Sequence, residues 1–147
     1  MTTSSSPRHH QVEMSIGGST ALVDEGLAPL IEGLWLLGIA TRFSCQCTTR
    51  RINLMRQPRN VAYIMFPDPS DLLRMMGLFV GTDLDPRRRR SAWTYELFPR
   101  FDDEPDDGAT AGSVGLHPVL YIPVEQLDTV TDVVRRSAQL VSQLGAA

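Results

Sequence analysis

Segments with the hydrophobic period of a strand alternate along this chain with segments that have the period of a helix, and this alternation constrains the fold most. One helical face is predicted by apolar residues at the i, i+3, i+4, i+7, i+8 spacing: Leu27, Leu30, Ile31, Leu34 and Trp35. Asp24 precedes this segment as a candidate N-cap. Gly38 follows it, where a glycine can end a helix in the left-handed conformation. The sequence therefore predicts a helix between Asp24 and Gly38.

Strand patterns flank this helix on both sides. Val12, Met14 and Ile16 alternate with polar residues as far as Gly17-Gly18, and an extended pattern resumes to Val23. Because paired glycines supply the positive φ angles of a two-residue turn, we expect a β-hairpin here. The next alternating segment runs from Ile39 to Cys47 and predicts a further strand.

The second half of the chain repeats the alternation. Residues 61–66 predict a buried strand, and Asp68 with Pro69 predicts the start of a second helix. Residues 92–101 and 116–122 predict two more strands, and a last helix follows Pro123. A β-α-β unit would make the strand 61–66 parallel to the strand 92–101. We therefore expect an α+β fold, a mixed and mostly antiparallel sheet of about six short strands with three helices mainly on one face.

The length and the apolar segments predict how the chain is organised. A chain of 147 residues is the size of one domain. We expect a disordered N-terminal tail over residues 1–11, a single α/β domain over 12–144 and a mobile acidic loop over 102–112. No apolar stretch approaches the roughly 18 to 20 residues that cross a bilayer, and the N-terminus has no apolar signal segment. These features predict a cytoplasmic protein without a membrane partner.

The charge of the chain is unevenly distributed. The net charge is −3, and all fourteen basic residues are arginine. Residues 42–100 hold eleven arginines against five acidic residues, whereas the segments before and after are both acidic. This asymmetry predicts one anion-attracting surface on an acidic molecule.

Eight arginines fall in two loops that the predicted topology brings to one end of the sheet. These candidate ligand-binding residues are Arg50, Arg51, Arg56, Arg59, Arg87, Arg88, Arg89 and Arg90. Together they form an anion-binding surface, or else they spread outward as solvated loops. Trp93 and Tyr95 follow the second loop; a stacking platform for nucleic acid is one reading, and inward packing on a strand is the favoured one.

The segment from Thr41 to Cys47 is the strongest local motif. One intervening residue between Cys45 and Cys47 does not suit a zinc site, and a disulfide there would close a strained ring. A thiol of Cys45 activated by nearby arginines could act as a nucleophile. Buried, inert cysteines are the favoured interpretation, His117 is expected to be a packed strand residue, and no motif indicates a metal or cofactor.

Three segments of the chain form a further pattern: Asp24-Glu25-Gly26, Gly38-Ile39-x-Thr41-x-Phe43-Ser44-Cys45-Gln46 and residues 62–66. With this pattern the chain resembles a family of small uncharacterised proteins of actinobacteria and their phages. Cys47 stands where the family pattern has glycine. The resemblance implies no established activity.

These observations lead to three functional expectations. The first is a non-enzymatic binding or regulatory module that presents an arginine-rich end to an anionic partner, such as nucleic acid, a nucleotide or an acidic protein. The second is a cysteine-dependent enzyme that acts on an acidic substrate through Cys45. The third is a homo-oligomeric protein-interaction module.

Overall fold

A computed structural model of the chain describes residues 10–50, 59–88, 92–101 and 114–145. Within these ranges the chain forms six strands and three α-helices. In chain order they are β1 Gln11–Ile16, β2 Ser19–Asp24, α1 Ala28–Leu36, β3 Phe43–Arg50, β4 Arg59–Met65, α2 Pro69–Gly77, β5 Thr94–Phe101, β6 Val114–Pro123 and α3 Leu127–Gly145. The predicted α+β fold with about six strands and three helices is confirmed.

Two segments predicted to be mobile fall largely outside this description. Of the N-terminal tail predicted over residues 1–11, residues 1–9 lie outside the described residues, and Gln11 already begins β1. The acidic loop predicted over 102–112 also lies outside the described residues.

The β1–β2 hairpin forms at the glycine pair, as predicted. Gly17 and Gly18 have φ angles of 57° and 86°, and Ile16 pairs with Ser19 across the turn. This hairpin is a separate two-stranded sheet.

A 3-10 turn over Glu25–Leu27 leads from the hairpin into α1, with Pro29 in the first helical turn. Gly38 ends the helix with a φ of 73°, as predicted. The expected N-cap is wrong, because the Asp24 side chain caps neither helical segment and accepts hydrogen bonds from Gln11 and Gln46 instead.

The remaining strands form a four-stranded sheet in the order β3-β4-β6-β5, in which every pairing is antiparallel. The predicted parallel neighbours β4 and β5 do run in the same direction, but β6 lies between them. Residues 117–123 of β6 are all buried, which is typical of a central strand. Because β6 can pair on both edges, it displaces the adjacent β-α-β arrangement expected from chain order.

Strand β3 begins four residues later than the alternation predicts. Ile39 turns into the core with 2% exposure, and the Ala40 amide donates to the Asp71 carboxylate at 3.1 Å. The Trp35 indole N–H donates to the Thr41 hydroxyl at 2.9 Å. These contacts hold residues 39–42 as a connection between α1 and the sheet.

A β-bulge interrupts β3 between Cys45 and Thr48. Cys45 pairs with Tyr63, and Thr48 pairs with Val61. An advance of three residues along β3 therefore matches an advance of only two residues along β4. The bulge therefore interrupts the strict alternation from which this strand was predicted.

The main core joins both sheets and all three helices. Ala62 and Ile64 of β4 and Leu120 and Ile122 of β6 share one sheet face and pack in the same buried cluster as residues of α1, α2 and α3. The helix residues of this cluster are Leu30, Ile31, Leu34, Leu72, Met75, Val130 and Val134. The helical face predicted for α1 is therefore the face that the protein buries.

Helix α2 begins as predicted and stabilises the end of α1. Asp68 accepts a hydrogen bond from the Ser70 amide at 2.8 Å, and Pro69 occupies the first helical position. Arg74 donates to the carbonyls of Leu37 and Gly38, both at 2.8 Å, so its charge satisfies the C-terminal end of α1. Among the described residues, no helix is long and apolar enough to cross a membrane.

Candidate functional site

The strands β4 and β5, which follow the two basic loops, begin at the same end of the four-stranded sheet. Both are antiparallel to β6, and Tyr63 and Thr94 both pair with Tyr121. Arg59 lies four positions before Tyr63, and Arg88 lies six positions before Thr94. Two strand spacings, roughly 10 Å, separate β4 from β5.

The backbone register makes Arg50 and Arg59 direct partners across the β3–β4 pair. Arg51, Arg56, Arg89 and Arg90 lie outside the described residues, so the structure gives a position to four of the eight candidates: Arg50, Arg59, Arg87 and Arg88.

Arg87 has an internal partner that the sequence analysis missed. The Arg87 guanidinium forms a salt bridge of 2.6 Å with Asp85, whose side chain is 1% exposed. The Arg87 side chain itself is 72% exposed. The Arg87 guanidinium therefore neutralises a buried carboxylate of its own chain.

Asp85 organises the loop that carries Arg87 and Arg88. Its carboxylate accepts hydrogen bonds from the backbone amides of Gly81 and Arg87 at 2.9 and 3.0 Å. Hydrogen bonds from the Arg87 side chain and from these amides hold the pKa of Asp85 well below its usual range. The same pairing raises the pKa of Arg87. The aspartate spaced two residues before the arginine is the signal that could have identified this pair.

Cys45 lies in a row of polar side chains across the sheet. Cys45 pairs with Tyr63, Tyr63 with Tyr121, and Tyr121 with Thr94. The two tyrosine rings lie 6.3 Å apart. Burial raises the pKa of Tyr63, and the proximity of Cys45 and Asp24 raises it further. Tyr63 therefore stays a neutral phenol at physiological pH and supplies no base for the half-buried Cys45 thiol.

His117 is too distant to act as that base. It lies on β6, four residues from Tyr121 and two strands away from Cys45, which corresponds to about 16 Å. Its Nδ1 lies 3.3 Å from the Phe66 carbonyl oxygen, and the residue is 6% exposed. His117 is packed in a strand, as predicted. A cysteine–histidine dyad between these two residues is excluded.

Two residues of the recognised motif, Asp24 and Gln46, meet at the bulge of β3. The Asp24 carboxylate accepts from the Gln46 amide at 2.9 Å, and the Gln46 side-chain oxygen accepts from the Gly26 amide at 2.7 Å. A Cβ at Gly26 would lie 2.5 Å from that oxygen, so a side chain at this position would displace the Gln46 amide group and disturb this hydrogen bond. These contacts fasten the hairpin to the edge of β3, and they give the Asp-Glu-Gly and Cys-Gln motifs a structural reason to occur together.

The predicted inward packing of the two aromatics holds for one of them. Trp93 packs edge-on against Phe79, with ring centroids 4.8 Å apart, and donates to the Gln126 side chain at 2.7 Å. Tyr95 is 59% exposed and lies on β5, which is an edge strand of the sheet. The prediction that the Tyr95 side chain packs inward is therefore wrong.

Among the described residues, no cluster of three or more His, Cys, Asp or Glu side chains is arranged to hold a metal ion. Comparison with protein-family models, with curated proteins and with solved structures finds no match to this chain. Its function is therefore argued from its own residues.

Proposed function

We propose that this protein is a non-enzymatic binding module whose arginine-rich end takes an anionic partner. The arginine-rich end comprises residues of the two basic loops other than Arg87: Arg50, Arg51, Arg56, Arg59, Arg88, Arg89 and Arg90. The partner classes that suit this chemistry are nucleic acid, a nucleotide and an acidic protein.

The common end at which β4 and β5 begin is the observation that carries this proposal. We infer from this common start that arginines of the two segments preceding β4 and β5 contact the same partner. The acidic composition of the rest of the chain favours contact through this end.

Binding measured against salt concentration tests the proposal. The double variants Arg50→Ala/Arg51→Ala and Arg88→Ala/Arg89→Ala should each weaken binding of a single-stranded oligonucleotide. Each lost phosphate contact should reduce the slope of log affinity against log salt by roughly 0.7. Parallel titrations with ATP and with polyglutamate distinguish the three partner classes.

A matched control removes two arginines elsewhere. Arg135 and Arg136 are adjacent and exposed on α3, and Arg136 is paired with Asp132. Arg135→Ala/Arg136→Ala changes the net charge equally and should leave the salt slope unaltered. If all three double variants lowered the affinity equally, binding would depend on overall charge and the arginine-rich end would be rejected as a site.

The C-terminal part of α3 favours a second candidate function, a homo-oligomeric interaction module. Residues 139–145 are all exposed, and three of them are large and apolar: Leu140, Val141 and Leu144. Exposed apolar residues clustered on one helix mark interaction surfaces. Sedimentation velocity of Leu140→Glu/Leu144→Glu beside the parent protein tests this: a self-associating parent and a monomeric variant would support it, and a monomeric parent would reject it.

A further inference from the structure

We propose that a cleft beside the tip of the β1–β2 hairpin binds a small ligand composed of an apolar body and one carboxylate. The cleft has a volume of about 540 Å³ and is bounded by the hairpin, the end of α1 and the connection to β3. Small-molecule sites commonly measure roughly 300 to 1,000 Å³.

The apolar part of the cleft suits a hydrophobic ligand body. Ile16 and Ala21 contribute from the hairpin, and Trp35 and Ile39 contribute from the opposite side. The hydrogen bond of 2.9 Å from the Trp35 indole to the Thr41 hydroxyl fixes the orientation of the ring. A preformed aromatic wall binds a flat or aliphatic group without loss of side-chain freedom.

Among the described residues that line the cleft, Arg42 is the one that carries a charge. Its backbone amide donates to the Met65 carbonyl at 2.7 Å, which anchors the residue beside the sheet. Its exposed guanidinium lies 5.7 Å from the centre of the Phe43 ring, and no ion pair joins it to an acidic residue within the described part of the chain. A single guanidinium in a small cleft selects a monoanion, and its fork of donors matches a carboxylate.

Two further features keep the cleft suitable for a negative group. The Thr41 hydroxyl accepts from Trp35 and so retains its own hydrogen as a donor. The last carbonyls of α1 would otherwise present partial negative charge at Gly38, but Arg74 binds the carbonyls of Leu37 and Gly38.

The cleft is separate from the arginine-rich end. Arg42 precedes the first residue of β3, and Arg50 is its last. Eight residues of strand span about 26 Å, so one small ligand cannot contact both. Binding in the cleft can therefore succeed or fail independently of the proposed function.

Tryptophan fluorescence offers a direct test because the chain has two tryptophans, Trp35 and Trp93. The Trp93→Phe variant leaves Trp35 as the sole indole. We expect phenylacetate to change its emission in a saturable manner. The uncharged phenylacetamide should bind about ten-fold more weakly or worse, since it lacks the charge-assisted hydrogen bonds.

Further substitutions in the Trp93→Phe variant test separately whether binding depends on the charge of Arg42 and on the shape of the cleft. Arg42→Gln should lower the affinity for phenylacetate about ten-fold and leave that for phenylacetamide nearly unchanged, while Arg136→Gln should alter neither. Ala21→Leu, which narrows the cleft and keeps Arg42, should weaken the binding of both phenylacetate and phenylacetamide. Circular dichroism and thermal melts verify that each variant is folded. Equal affinity for acid and amide, no saturable response to phenylacetate, or indifference to Arg42→Gln in folded protein would overturn the proposal.

Discussion

At the scale of residues, two buried carboxylates accept hydrogen bonds from backbone amides of neighbouring segments. Asp24 is 5% exposed and joins β1 to the bulge of β3 through Gln11 and the Gln46 amide. Asp85 is 1% exposed and joins Gly81 to Arg87. Because each carboxylate accepts hydrogen bonds from backbone amides, each is expected to be sensitive to neutral substitution.

Asp24→Asn should reduce the free energy of unfolding by about 1 to 3 kcal/mol, because the amide replaces one acceptor oxygen by a donor and leaves a buried group unsatisfied. Urea unfolding at neutral pH measures this change. Asp128→Asn, at an exposed position in the first turn of α3, is the control and should change the stability far less. Equal effects of the two variants would contradict a structural role for Asp24.

Asp85→Asn should accelerate hydrogen exchange at the amides of Gly81 and Arg87 and lower the melting temperature at pH 7. The lowered pKa of Asp85 means that its ionised form stabilises the folded protein. That contribution is complete above the unfolded value of about 3.9 and is lost as the pH falls through the lowered pKa.

The difference in melting temperature between the parent protein and the Asp85→Asn variant should therefore stay constant from pH 7 to about pH 5. It should become smaller only in stronger acid. Thermal melts across this range measure it, with the exposed neighbour Asp83→Asn as the control. A difference that already vanished at pH 5 would show that the pairing with Arg87 does not lower the pKa of Asp85.

At the scale of elements, the contact between α1 and α3 depends on one small residue. Gly33 is buried, and a Cβ at this position would lie 2.8 Å from Val134 Cγ1. Val134 is itself fully buried, so its short branched side chain has little room to move. The two helices can approach this closely only because residue 33 has no side chain.

Gly33→Ala should destabilise the protein by about 1 to 3 kcal/mol, despite the higher helix propensity of alanine, because overpacking outweighs it. Gly77→Ala is a matched control in α2, where a Cβ meets nothing within 4 Å. Denaturant melts of both variants decide the question. A neutral or stabilising Gly33→Ala would mean that α1 and α3 separate easily.

At the scale of the whole molecule, one buried cluster connects the hairpin, the three helices and the four-stranded sheet. It includes Val23 of β2 and Ile64 of β4, and it packs against both Trp35 and Trp93. Because these elements share their apolar contacts, none of them can lose its packing without exposing surface on the others. We therefore expect the described elements to unfold together.

Urea unfolding should show coincident midpoints when followed by far-ultraviolet circular dichroism and by the fluorescence of each tryptophan, isolated in Trp93→Phe and Trp35→Phe. Leu34→Ala and Ile64→Ala should each lower the free energy of unfolding by about 2 to 5 kcal/mol, because both side chains are fully buried. Each substitution should shift the midpoints of the circular dichroism and fluorescence transitions equally. Separate midpoints would divide the chain into independent units and overturn the expectation of a single domain.

The sequence by itself determined the features that depend on near neighbours. The glycine pair at 17–18 set the hairpin turn, Asp68 with Pro69 set the start of α2, and the spacing from Leu27 to Trp35 set the buried face of α1. These signals are local because turns, caps and helical faces depend on residues a few positions apart.

Tertiary structure alone decided the strand order and the contacts that shape the candidate sites. β6 entered between β4 and β5, the Asp24 carboxylate bound the Gln46 amide 22 positions away, and Arg74 reached the Leu37 carbonyl 37 positions away. A hydrophobic period states which side of an element is buried but not which neighbour covers it. The partners of these polar groups were therefore set only when the strands had paired and the helices had packed.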